Sequence, residues 1–107
     1  MRAQRYFAAG ATGWVSGVAN VAPEECVALQ RHVIDGELDA ARAINARILP
    51  LARLDMTPKL VQYFKAAQDA VGRVGGPCRP PRRELTADER AIVDAALGAL
   101  RGQEVAA

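Results

Sequence analysis

The side chains able to do chemistry are few and scattered: Lys59 and Lys65, His32, Cys26 and Cys78, and Ser16 within a glycine-rich run. A lysine amine attacks a carbonyl only when it is partly neutral, a state arranged by desolvation or a neighbouring cation in a closed pocket. Both lysines fall within one helical pattern, where a solvated or snorkelling side chain is expected. Ser16 has no histidine or acid placed to activate it, because His32 belongs to the following helix as a partly exposed residue. The two cysteines are far apart and accompanied by one histidine, so reduced thiols are expected, with neither a zinc site nor a disulfide framework. No residue is assigned a catalytic role, and no metal or cofactor is expected.

The elements that would position these groups are mostly helical. Ala3 to Ala9 resembles the last turns of a helix closed by Gly10, too short to stand without tertiary packing. Gly10 to Asn20 then carries glycines at both ends of Trp14 and Val15 and is expected to form a buried strand, the only one in the chain. A lone strand leaves its backbone donors and acceptors unpaired, so this segment implies partners outside the 107 residues and a piece of something larger. Trp14 is expected to be buried against a helix once those partners are present.

Pro23, Glu24 and Glu25 open a helix running to Asp35, with Val27, Leu29, Val33 and Ile34 as its apolar positions and Gly36 at its end. Glu37 to about Leu54 repeats Ala41, Ile44, Ile48, Leu51 and Ala52 at helical spacing, and Pro50 should kink that helix or open its last turn. A third helix is expected from Pro58, with Leu60, Phe64, Ala67 and Val71 on one face and Gly72 as its stop. Tyr6 and Tyr63 are expected to pack. Residues 73–83 contain three prolines and read as an extended crossing segment, whose arginines are expected to be solvated. Thr86 and Glu89 make a capping box ahead of Ile92, Val93, Ala96, Leu97 and Leu100, and the tail from Gly102 is expected to fray.

Half of the residues are hydrophobic and 24% charged, the balance of a folding chain and not of a disordered one. A net charge of +2 with interspersed signs, and five aromatics confined to the first 64 residues, argue against nucleic acid as a partner. No apolar run approaches the roughly 20 residues that span a bilayer, and the N-terminus lacks the apolar stretch of a signal peptide, so no membrane and a cytoplasmic location are expected.

Taken in order, Gly10-x-x-Gly13-x-Val15-Ser16-Gly17-x-x-Asn20, Ile48-Leu49-Pro50-Leu51, Phe64-Lys65-Ala66-Ala67 and Gly76-Pro77-x-Arg79-Pro80-Pro81 resemble the dihydrodipicolinate synthase and N-acetylneuraminate lyase family. The resemblance covers nearly the whole chain. It implies a TIM-barrel parent with a C-terminal helical addition, of which this chain is the final portion. That portion holds the end of the seventh helix, the eighth strand and helix, and three added helices.

The same resemblance implies a lyase, an aldolase or a dehydratase, acting on a 2-oxo acid such as pyruvate. Its Schiff-base lysine lies on the sixth strand and a helper tyrosine on the fifth, and neither position lies in this chain. Lys65 matches a helical lysine of the family. Backbone near Val15, Ser16 and Gly17 would line the substrate pocket, at the strand end where barrel active sites collect.

The expected architecture is therefore mainly α as it stands: residues 1–36 end a (β/α)8 barrel, and 37–107 form a helical subdomain. Activity alone is not expected, and the expected partner is the missing barrel half or further copies in a homo-oligomer. The competing reading is a stand-alone helical module that uses its apolar stripes to oligomerise.

Overall fold

In the computed structural model, which describes residues 3–102, the regular elements are helical and no strand is present among the described residues. The helices are α1 (Ala3–Ala8), α2 (Pro23–Ile34), α3 (Leu38–Arg53), α4 (Leu60–Ala70) and α5 (Ala87–Leu100). Their ends follow local chemistry. Pro23 occupies the first turn of α2 with Glu24 and Glu25 beside it, and Gly36 and Gly72 take positive φ, +76° and +84°, just beyond α2 and α4. The capping box of α5 is complete: Thr86 Oγ1 accepts from the Glu89 amide at 3.2 Å, and Glu89 Oε1 accepts from the Thr86 amide at 2.9 Å. Pro50 does not end α3. The helix runs on to Arg53 and then tightens into a 3-10 turn over Leu54–Met56.

α2 packs on α3, α3 on α5, α4 on α5 and α1 on α2, closing a core that runs without a break from Phe7 to Leu100. Leu29, Ile48 and Leu51 are its largest wholly buried side chains. One apolar face per helix supplies the core, and it is narrower than the sequence periodicity suggests. In α2 the buried set is Cys26, Leu29 and Val33, whereas Val27 and Ile34 face outward. Each of those two lies one residue after a buried one and is therefore turned about 100° off the packed face. Ile92 is exposed for the same reason, next to buried Val93. Tyr63 is buried in the core, but Tyr6 is exposed, because Phe7 takes the inward position of α1. The expectation for the tail beyond Gly102 lies outside the described residues.

The buried strand expected over Gly10–Asn20 is not formed. Residues 11–16 have no regular secondary structure, Val15 is fully exposed, and Val18–Asn20 make a 3-10 turn. A strand is defined by its ladder, and among the described residues no second extended segment pairs with this one; its backbone bonds are local, such as that from the Ala11 amide to the Tyr6 carbonyl.

Two ties from other helices hold the ends of α5. Lys59 Nζ, just ahead of α4, donates to Glu89 Oε1 at 2.8 Å. At the other end, the Arg47 guanidinium of α3 donates through Nε and one terminal nitrogen to the Leu100 carbonyl, at 2.9 and 2.6 Å. The bond from Lys59, reinforced by the Thr86 amide, holds the Glu89 carboxyl at about 2 against an ordinary 4.5. A carboxyl depressed by folding stabilises above its unfolded value and loses that contribution as pH falls from about 4.5 towards about 2. Melting midpoints of the parent chain and of Glu89→Gln should therefore differ at neutral pH and converge by the acid end of that window. Parallel curves across it would refute this role for the carboxylate.

Candidate functional site

The candidate pocket wall, Val15, Ser16 and Gly17, is positioned by what flanks it. The Ala11 amide donates to the Tyr6 carbonyl at 2.9 Å, and Gln30 Nε2 of α2 donates to the Thr12 carbonyl at 3.4 Å. The Trp14 ring meets Phe7 edge-on, centroids 5.9 Å apart at 75°, which fixes the segment to α1. Trp14 is only half-buried there, short of the burial expected of it with a complete set of partners. Asn20 Nδ2 donates back to the Gly17 carbonyl at 3.2 Å and closes the turn.

The three residues do not converge. Val15 points wholly into solvent, and Ser16 is half-buried beside Cys26 of α2. Gly17 lies against the Phe64 ring and Asp55, at backbone angles any residue can adopt. A Cβ at 17 would make ordinary contacts of 3.6 and 3.7 Å, so packing within this chain does not demand a glycine there.

The remaining reactive groups are engaged elsewhere. Burial pushes the Cys26 thiol up to about 11, with the Ser16 hydroxyl opposing that shift and the Glu25 charge adding to it. Cys26 is therefore held as the neutral thiol at neutral pH. His32 Nδ1 pairs with Glu37 Oε2 at 3.0 Å, six residues along α2 from Cys26, or about 9 Å of helix rise. Lys59 is tied to Glu89, and Lys65 Nζ donates to the Pro77 carbonyl at 2.9 Å. Among the described residues no three His, Cys, Asp or Glu side chains gather as a metal site would require, and no helix is long and apolar enough to cross a membrane.

Sequence reasoning missed the relation between α4 and the crossing segment. Asp69 Oδ1 accepts from the amides of Gly75 and Gly76 at 2.8 and 3.2 Å, and Gly75 passes directly over the Lys65 carbonyl. An aspartate near a helix end followed by paired glycines was the available signal.

Comparison with known proteins extends these observations. The model of the dihydrodipicolinate synthetase family matches residues 2–100. A 4-hydroxy-tetrahydrodipicolinate synthase of Hyphomonas neptunium is 37% identical over 92 residues, covering 86% of this chain and 31% of the relative. The enzyme of the same name from Kineococcus radiotolerans is 42% identical over 92 residues, covering 84% and 30%. The chain thus spans about 30% of the length of the curated relatives it matches. Among solved structures, dihydrodipicolinate synthase from Oceanobacillus iheyensis superposes with a TM-score of 0.82 over 95% of this chain and 35% of its own, at 24% identity. That likeness establishes a shared fold over the matched part.

Proposed function

The chain belongs to the dihydrodipicolinate synthetase family, and on that premise we propose that it is the C-terminal portion of a lyase that acts on a 2-oxo acid through a lysine Schiff base. In this reading residues 1–36 supply the last strand and flanking helices of a (β/α)8 barrel, and 37–107 form the added helical subdomain. Backbone at Val15, Ser16 and Gly17 contributes pocket wall, and the Schiff-base lysine and helper tyrosine come from the rest of the barrel. The chain is inactive alone, resides in the cytoplasm, and takes as its partner the remaining barrel or a further oligomer.

The observation that carries the reading is the segment 11–16. It has neither helix nor ladder, with Val15 fully exposed, in a chain whose other elements share one core. Backbone donors and acceptors in such a stretch are what neighbouring barrel strands would satisfy. That shared core also favours the second reading, a self-sufficient helical module that associates through exposed Val27, Ile34 and Ile92.

Borohydride reduction in the presence of pyruvate, followed by intact-mass measurement, separates these ideas. The chain alone should gain no adduct. Mixed with a polypeptide carrying the other seven barrel strands of a relative, it should form a complex in which that polypeptide gains the adduct. An adduct on Lys59 or Lys65 would overturn the assignment, and a discrete, cooperatively melting oligomer that ignores the added polypeptide would establish the module instead.

A further inference from the structure

The outer face of α2 carries an apolar residue framed by opposite charges. Val27, 49% exposed, lies beside half-buried Ala28, with Glu24 one turn before and Arg31 one turn after, and the four border one shallow hollow of the surface. All four are turned about 100° or more from Cys26, which faces the core, so the packing of the chain leaves them outside. Arg31 has no carboxylate within ion-pair distance among the described residues. Glu24 meets Arg73 at 3.8 Å with both side chains open to solvent, an ion pair that contributes little.

Opposite charges seven residues apart, with an apolar pair midway, make a pattern that is complementary to itself when reversed. Two α2 helices packed antiparallel about a two-fold axis between residues 27 and 28 place each Glu24 level with Arg31 of the second copy. Each Val27 then meets Ala28 of the second copy, whose short side chain lets the helices approach. Both charges stand about 5 Å along the helix from that axis, so one geometry brings the two ion pairs together. No like charges come level in this register, because His32 falls opposite Pro23 and Asp35 past the start of the second helix. Ile92, the exposed apolar residue of α5, has no such frame, with Asp88 one turn before it and Ala95 one turn after.

We propose that this chain pairs with a second copy of itself through α2, antiparallel, with the Val27–Ala28 contact at the centre and a Glu24–Arg31 ion pair closing each end. The pairing goes beyond the barrel reading: segment 11–16 lies against Cys26 and Gln30, and the seam runs along residues further round the helix. One face of a 12-residue helix is at the small end of specific interfaces, so the dimer is weak and reversible.

Sedimentation velocity on the full chain, from micromolar to near-millimolar concentrations, should show a monomer–dimer equilibrium that weakens with added salt. Glu24→Arg and Arg31→Glu each set like charges opposite one another and should each raise the dissociation constant about tenfold or more. Mixed together, these two variants should associate about as well as the parent, because each end of the mixed pair again joins opposite charges. Ile92→Asp should leave the equilibrium unchanged. A chain that stays monomeric throughout, reversals that leave association unaltered, or a mixture no better than either variant would each overturn the proposal. Loss of the dimer in Ile92→Asp would overturn it too, by moving the seam to α5. None of these results bears on the barrel reading, which the borohydride experiment decides separately.

Discussion

Ile48→Ala should cost about 2–5 kcal/mol of folding stability, the usual range for emptying a large aliphatic site in a core that relaxes only partly. Ile48 has no solvent exposure and sits on α3, the helix that packs against both α2 and α5. The space left behind lies wholly inside the core these helices share. Domains of this size hold about 5–15 kcal/mol in total, so the variant should lose a large fraction of its cooperativity margin. Its melting midpoint should fall by roughly 10 °C or more. Ile92→Ala is the matched comparison: it removes an equally large side chain from a half-exposed position of α5 and should shift the midpoint little. If the two substitutions cost the same, the core is not packed as described.

Gly75→Ala should be nearly as damaging although it adds only a methyl group. A Cβ at 75 would press into the Lys65 carbonyl and sit 2.8 Å from that residue's Cα and carbonyl carbon, all backbone atoms of α4 that no rotamer change can move aside. The crossing segment must lift, and the bonds from Gly75 and Gly76 to Asp69 and from Lys65 to Pro77 go with it. A loss of about 2–3 kcal/mol is expected, at the upper end of overpacking costs. Gly13→Ala is the control. It has no neighbouring atom within 4 Å and no positive φ, so it should change the melt by little. Equal melts for the two variants would mean that the segment does not lie on α4.

The contrast between those glycines explains what could be read from the sequence. Helix ends could be read because their chemistry is local: Thr86 with Glu89, Pro23 with its acidic neighbours, and Gly36 and Gly72 each act within one turn. Which apolar residues point inward could be read only in part. Val27, Ile34 and Ile92 fit a helical stripe as well as their buried neighbours do, and only the angle at which a partner helix arrives decides between them. Gln62 gave no signal, and Gly75 only the faint one of a glycine pair after Asp69, because their roles exist only once the crossing segment lies across α4. The run from Gly10 to Asn20 forms no strand here for the opposite reason. Its composition suits a strand, but pairing is a property of two segments, and the second is not among the described residues.

The site is divided in the same way. The resemblance selected Val15, Ser16 and Gly17 as pocket wall from a motif, while the geometry of this chain alone gives them no common focus. Lys59 and Lys65 stand beside and on α4, the first bonded to Glu89 and the second to the Pro77 carbonyl.

The two fastenings of α5 differ in kind, and that difference gives the helix a direction of release. At its start the Lys59 tie depends on an ionised carboxylate and slackens in acid, whereas the Arg47 fork at its finish grips an amide carbonyl, which does not titrate. Acidification should therefore loosen the first turn of α5, next to Ala87, while buried Val93, Ala96 and Leu97 keep the helix on the core and its last turn stays moored to α3.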